Sequence, residues 1–495
     1  MLPWKVAAAL IAVVCLGSLF IVVRFIHFNN APELYFPTDS PAVLLEQSIR
    51  KEFPNDELLI GVFAGDDLFS AEFLSALDRV SKQIQQHKLV DRVFTVINAD
   101  HLAATEDGFA TEILIDPKTL AQTTPKSRRE RALSDRFAPG LLVAKDGSAL
   151  AIAVRPVLLK ESQQREAIKH ELYRAVNANG LDKHLVAVAG TVALESASLL
   201  SMLVDSAVLI PVTMAIGLAL LVWGVGRPAP VIIGAVAMST VILPTVAFLA
   251  AIGQPFTLVM AMVPPLLAAY TIATLLHLYA ALMRARQAQL RRPARVIRAL
   301  HDIHKAALFN VLTTGAGMAS MVFTPIPPIQ IFGLVGAAGT ALVYIVIFHL
   351  VPPLLVQWDK GRWPQRGFKG TSKLAFKFVR FSMRHAGLTI AVCSMAILVT
   401  IPLVTKVEVE TDLIKFFPDN HWLSRSTTYV EENLSGVINI EVVFDGPARD
   451  ALKKVETLRA LQAFQKWVAA QPHVDRAVSM MDMIEEMNWA FHGED

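Results

Sequence analysis

The sequence predicts a polytopic α-helical membrane protein with α+β domains outside the bilayer, built from ferredoxin-like, split βαβ halves. It also predicts a parallel internal repeat whose second copy is truncated. Three observations carry this. Hydrophobic residues make up 54% and charged residues 18% of the chain, with a mean hydropathy of +0.46, too apolar for an ordinary soluble protein. Seven stretches are long enough to cross a bilayer, which takes ~20 apolar residues. And the chain repeats itself: LYFPTD around Phe36 and Pro37 returns as KFFPDN around Phe417 and Pro418, an offset of 381 residues. The same offset lays Phe63-Ala64-Gly65 on Phe444-Asp445-Gly446 and the run Val6–Val23 on the one ending near Thr405. Val90-Asp91-Arg92 returns as Val474-Asp475-Arg476 at an offset of 384, three residues more. A span followed by the same soluble pattern, twice over, marks a duplicated membrane protein. On this offset Asp495 matches residue 111 of the first copy, so most of a second copy is expected to be missing.

The spans are expected at 4–26, 203–225, 229–252, 256–283, 305–325, 330–357 and 386–406. Pro228 to Met283 holds no Asp, Glu, Lys or Arg, and Gly253-Gln254-Pro255 divides it into two crossings. Ala306 to Trp358 is equally free of charge and is divided by Pro325-Ile326-Pro327-Pro328. The first span reads as a retained anchor: Val6–Val23 is longer than a signal-peptide core, and Val23-Arg24-Phe25 offers no small-residue cleavage site.

Basic residues set the direction. Residues 284–305 carry Arg284, Arg286, Arg291, Arg292, Arg295, Arg298 and Lys305. Residues 359–384 carry Lys360, Arg362, Arg366, Lys369, Lys373, Lys377, Arg380 and Arg384. Both join an even-numbered span to the next, as does the short loop with Arg227, so these loops and the N-terminus are expected in the cytoplasm and 27–202 and 407–495 outside. The basic runs lack interleaved aromatics and alternate with spans, so nucleic acid is not an expected partner. The domains expected are therefore 1–26, a first span; 27–202, a porter-like domain; 203–357, a five-helix bundle; 358–385, a cytoplasmic basic linker; 386–406, the seventh span; and 407–495, the start of a second outer domain.

Within 27–202, Leu58–Phe63 and Val90–Ile97 are β-type runs flanking a helix over Ser70–His87, with Phe73, Leu74, Leu77, Val80 and Ile84 on one face. A second half follows as strand Ala149–Val154, helix Ser162–Asn177 and strand Leu185–Val188, which gives the two split βαβ units. The polar stretch 101–141 reads as a helical insertion or a loop. The first unit is expected to return as strand Ile438–Phe444, helix Ala448–Ala470 and strand Val474–Met480.

Catalytic chemistry is hard to find. His87, His101, His170 and His184 are scattered, no carboxylates are paired at a catalytic spacing, and the chain is not expected to be an enzyme. Cys15 and Cys393 both lie in apolar spans, so neither a disulfide framework nor a metal site is expected. No GxxxxGK[ST] loop is present and no cofactor is expected. Ionisable groups inside a membrane are costly and usually functional. Spans two to six hold no acid away from their ends; Asp205 sits at the outer edge of span two, His277 in the cytoplasmic half of span four and His349 in span six. Pro264-Pro265, Thr271 and Thr274 make span four the polar one; the plainer reading is a snorkelling His277 and a Thr274 hydroxyl bonded to its own helix. Gly315, Gly317, Ala319 and Ser320 on span five are small residues whose spacing allows close packing against span four or six.

Leu312-Thr313-Thr314-Gly315-Ala316-Gly317-Met318-Ala319-Ser320, then Pro325-Ile326-Pro327-Pro328-Ile329 and Phe332-Gly333, resemble the fifth-to-sixth-span signature of the RND superfamily. The nearest branch is the MMPL-like exporters, whose core resembles a sterol-sensing domain. Pro264-Pro265 leading to His277-Leu278 resembles that branch's fourth span, and Gly190-Thr191 with Asp205 and Pro211 resembles its lead-in to the second. The resemblance implies secondary export, driven by the proton gradient, of lipids or other hydrophobic molecules handled by periplasmic domains of a bacterial inner-membrane protein. It implies a second half or an accessory periplasmic protein as partner. It also implies a cleft beside span four, lined by Phe323, Met318 and Leu266, that admits a lipid. Relatives carry a relay acid three or four positions before the histidine, where this chain has Ala273 and Thr274. The alternative expectation is therefore a lipid-sensing or accessory membrane protein, or a remnant, without proton coupling.

Overall fold

The computed structural model describes residues 2–491, except positions 38, 54, 106–107, 226–227, 288–289, 359–365, 408–411, 438, 447, 449 and 473. Arg227, Lys360 and Arg362 of the basic loops therefore lie outside the described residues. In chain order the elements are α1 (Trp4–Phe25), α2 (Pro41–Glu52), β1 (Leu59–Ala64), α3 (Ala71–Gln85), β2 (Val90–Phe94), β3 (Asp100–Thr105), β4 (Gly108–Ile113), α4 (Pro125–Ser134), β5 (Ala149–Pro156), α5 (Ser162–Ala178) and β6 (Leu185–Ala189). The long helices follow: α6 (Thr191–Val225), α7 (Pro228–Ala251), α8 (Val263–Gln287), α9 (Arg292–Ser320), α10 (Pro327–Ile345), α11 (Val351–Trp358), α12 (Arg366–Arg384) and α13 (Ala386–Val404). The chain closes with α14 (Trp422–Asn433), α15 (Val455–Ala469) and α16 (Met480–Phe491).

Two compact units result, one of residues 1–38 and 200–411, the other of 39–199 and 412–495. The first holds the membrane helices. Among the described residues, seven helical stretches are long and apolar enough to cross a bilayer, Met260–Ala285 and Pro327–Trp358 included. Their places agree with the sequence reading, but two begin earlier. Span two belongs to a helix that starts at Thr191, and span five to one that starts at Arg292, so the basic residues after position 291 are carried on a helix rather than a loop. Pro293 in the first turn of α9 explains that start: its fixed φ suits a helix and the missing N–H is one no helix bond would use.

Glycines set the helix seams. A Cβ on Gly333 of α10 would stand 2.5 Å from the carbonyl oxygen of Met318, and one on Gly339 would stand 2.5 Å from Leu267 of α8. Gly217 of α6 meets Ile272 of α8 at 2.8 Å in the same sense. Close helix approach in lipid depends on such small residues, since apolar surface gains nothing by leaving one apolar medium for another.

The second unit is an antiparallel sheet of order β2-β5-β1-β6. Alternation along each strand sends Leu59, Phe63, Leu150, Ile152 and Val188 to one face, where they bury with Phe73, Leu74, Leu77, Ile168 and Leu172 of α3 and α5. The other face carries Val62, Ala149, Ala151, Ala187 and Ala189 and is covered by Val430 and Leu434 of α14. The alanines let that helix lie close. The stretch 101–141, expected as a helix or loop, contains the hairpin β3–β4 as well as α4.

The region after α13 parallels the beginning of the chain in its helices. α2 and α14 both have 12 residues and start 381 positions apart, each after a 3-10 turn and Phe-Pro. α3 and α15 both have 15 residues and start 384 apart. The strands do not follow. Residues 439–446 and 474–479 are irregular, where strands over Ile438–Phe444 and Val474–Met480 were expected; Ile438 itself lies outside the described residues. β1 is held by β5 and β6 on either side, and no described segment pairs with 439–446, so its backbone groups have no ladder to join.

Candidate functional site

Span four shows what the membrane unit can and cannot do chemically. Thr271 is buried and donates to the carbonyl of Leu267 at 2.6 Å; Thr274 donates to that of Tyr270 at 2.9 Å. Thr240, Thr245 and Thr340 in the neighbouring helices do the same with Val236, Val241 and Gly336. Each hydroxyl donates within its own helix; of these five described residues Thr240 also reaches another helix, its Oγ1 lying 3.6 Å from Cys15 Sγ of α1.

The helical period separates the remaining positions. Leu266, Ala273 and His277, at spacings of seven and four, lie on one exposed stripe of α8, while Thr271 and Thr274 face inward. Of the two positions where an acid was sought, Ala273 thus shares the stripe of His277 and Thr274 does not.

The small residues of span five are placed differently from the expectation. A Cβ on Gly315 or Gly317 would meet nothing within 4 Å, so neither makes a tight helix seam in this chain. The seam is made from the partner side: Met318 is buried against α10, where a Cβ on Gly336 would stand 3.2 Å from its sulfur and Gly333 makes room for its carbonyl oxygen. Ser320 bonds the carbonyl of Gly317, and Phe323, at 91% exposure, projects freely. Met318 and Phe323 therefore do not face the same space.

His349 lies in a π-helical turn, Val346–Leu350, that joins α10 to α11. The cause is Pro352-Pro353: neither proline has an N–H for the carbonyls of Phe348 and His349, and the turn widens so that Val351 bonds Val346. Around it, Tyr344 stacks on Phe348 at 4.6 Å, and His304 of α9 lies 6.5 and 6.3 Å from those two rings. The doubled proline signals the turn in the sequence; the His304 contact has no local signal.

The second unit offers a cleft of about 600 Å³ beside α14, lined by Val186, Trp422 and Tyr429 together with Asp419, Arg425 and Glu432. Lys169 lies 5.2 Å over the Trp422 ring. Apolar and charged walls together suit a molecule with an apolar body and a polar head. In the same unit, α16 and the residue run before it are clamped to the segment 136–139 that follows α4. Arg136 pairs with Glu485 and approaches Asp482 at 3.7 Å and Glu486 at 3.9 Å. Arg476 donates to the carbonyls of Pro139 at 2.7 Å, Arg136 at 2.8 Å and Phe137 at 3.1 Å. Hydrogen bonds from Gln462 and Arg136 hold the Glu485 carboxyl below its ordinary range, whereas burial pushes Glu486 above it.

The seven apolar helices long enough to span among the described residues, most of them packed through glycine seams, make this a multi-pass membrane protein. The sequence model of the MMPL family matches residues 68–401, about two thirds of the chain. The chain belongs to the MMPL family. Membership points to a membrane transporter of hydrophobic substrates rather than to an enzyme. No curated protein matches the chain.

Proposed function

We propose that the protein is a secondary exporter of lipids or other hydrophobic molecules in a bacterial inner membrane. Its N-terminus is cytoplasmic, and 27–202 and 407–495 are periplasmic; the distribution of basic residues supports this orientation. The sheet unit acts as a porter domain of ferredoxin-like halves, a reading supported by its strand order, in which each βαβ pair encloses a strand of the other. The matched lengths of α2 and α14, and of α3 and α15, support an internal repeat, and a second half or an accessory periplasmic protein is the expected partner.

The observation that carries the reading is the family match, which takes in the sheet unit from Leu68 and runs through the spans to Ile401. The exposed stripe of α8 and the free Phe323, which follows the end of α9, are where a lipid from the outer leaflet would be met. Photo-crosslinking tests this: a photoreactive residue at Phe323 should label a lipid probe, and an unlabelled competing lipid should abolish the labelling. Labelling no stronger than at Ile232, an exposed residue of α7, would remove the cleft.

One observation favours a second reading, a lipid-sensing or accessory protein that does not transport. Ala273 and Thr274 stand where the relay acid is sought, and a threonine hydroxyl does not ionise near neutral pH. Binding of the probe without any movement of it across vesicle membranes would select this reading.

A further inference from the structure

α12 connects two spans, yet it has the composition of neither a span nor a linker. It contains six Lys and Arg and no acid, in the sequence RGFKGTSKLAFKFVRFSMR, and no Asp or Glu occurs anywhere from Lys360 to Val407. Lys373, Lys377, Arg380 and Arg384 follow one another at spacings of four, three and four. At 3.6 residues per turn these side chains fall within about one sixth of the helix circumference. Between Lys373 and Arg384 the other side chains are apolar, Ser382 excepted, and bare: Leu374, Phe376, Phe378, Val379, Phe381 and Met383 are each 54–77% exposed. A helix so divided is stable in water only if something covers the apolar side.

The occupant is indicated by position and charge. Both ends of α12 are tied to the bilayer, α11 ending at Trp358 and α13 starting at Ala386. Its apolar side can enter the acyl region by ~5–10 Å while the basic stripe stays at headgroup level. Basic side chains held there attract acidic headgroups, and no acid on the helix opposes them. Phe rather than Leu dominates the apolar side, and aromatic rings suit the interface.

We propose that α12 lies in the membrane plane and binds anionic phospholipid headgroups along Lys373, Lys377, Arg380 and Arg384. The helix thereby gathers acidic lipid around the junction of the sixth and seventh spans. This requires only that the flanking helices span the bilayer, not that they face a particular side, so its failure leaves the proposed orientation untouched.

The test uses the full chain with Cys15 and Cys393 replaced by Ala and one fluorophore-labelled cysteine, F378C in one variant and F381C in another. The protein is placed in phosphatidylcholine vesicles containing phosphatidylglycerol, with one or the other lipid brominated at equal mole fraction. Brominated phosphatidylglycerol should quench several-fold more strongly than brominated phosphatidylcholine. The difference should vanish in K373Q/K377Q/R380Q and persist in K373R/K377R. Equal quenching by both lipids would overturn headgroup recognition and leave apolar adsorption. Quenching by neither would also overturn it and assign the apolar side to a protein partner or a second copy.

Discussion

A Cβ placed on Gly190 would lie 2.3 Å from the carbonyl oxygen of Leu58. Gly190 also has φ +97°, which other residues rarely adopt, and Thr191 beside it accepts the N–H of Leu58 at 3.1 Å. The chain turns there from β6 into the helix that carries span two, against the lead-in to β1. Gly190→Ala should therefore cost about 3 kcal/mol or more, from strain and clash together. Gly180→Ala, at φ +72° with nothing within 4 Å, should cost only about 1 kcal/mol. Thermal unfolding of the two variants in detergent checks the contrast.

Arg165 is 1% exposed and makes two 2.8 Å bonds to the carboxylate of Glu57, itself 8% exposed. Removing one partner strands a buried charge. Arg165→Met should cost about 3–5 kcal/mol, and adding Glu57→Leu should recover much of it. If the double variant is less stable than either single one, as followed by chemical denaturation, the pair is held by more than mutual charge.

The clamp on α16 should respond to pH in opposite senses at its two glutamates. Glu485 is held below the ordinary carboxylate value, so its contribution is present above that value and lost as pH falls through the lower, folded one. Glu486 is raised by burial, so its contribution is full below the ordinary value and lost as pH rises through the folded one. Hydrogen-exchange protection of 480–491 should thus fall with acidification below the usual Glu range, and Glu485→Gln should flatten that fall. Glu486→Gln should instead preserve protection at the higher pH.

Orientation is checked by cysteine labelling in intact cells, with Cys15 and Cys393 replaced. Cysteines at Asp56 and Asp445 should react with an impermeant reagent, and those at Arg291 and Lys377 only after permeabilisation. Labelling of position 291 from outside would reverse the topology.

The spans and the sheet were legible because their signals are local. Charge-free runs mark the membrane helices, and the alternation of Leu59, Val62 and Phe63 or of Leu150, Ile152 and Val154 marks strands with two faces. The fate of 439–446 was not legible. Its residues suit a strand, but a strand needs partners, and which distant segment supplies them is not written in the run itself. The same limit applied at the site. Gly315 and Gly317 have the spacing of a packing seam, yet spacing does not say which of two helices contributes the glycines, and here α10 does through Gly333 and Gly336. The basic spacing of α12 was visible as charge but was read only for orientation, because its helical form was not anticipated.

The two proposed readings divide at span four, which we propose carries no proton relay in this chain, since Ala273 is apolar and the Thr274 hydroxyl donates to the carbonyl of Tyr270. Protein reconstituted in vesicles with a fluorescent lipid and an imposed pH gradient tests this directly. The account predicts that lipid movement by this chain alone is the same with the gradient, without it and in the presence of a protonophore. It predicts also that Ala273→Asp or Thr274→Asp adds no gradient dependence. Export that rises with the gradient and collapses with the protonophore would contradict it and place the relay elsewhere in the protein.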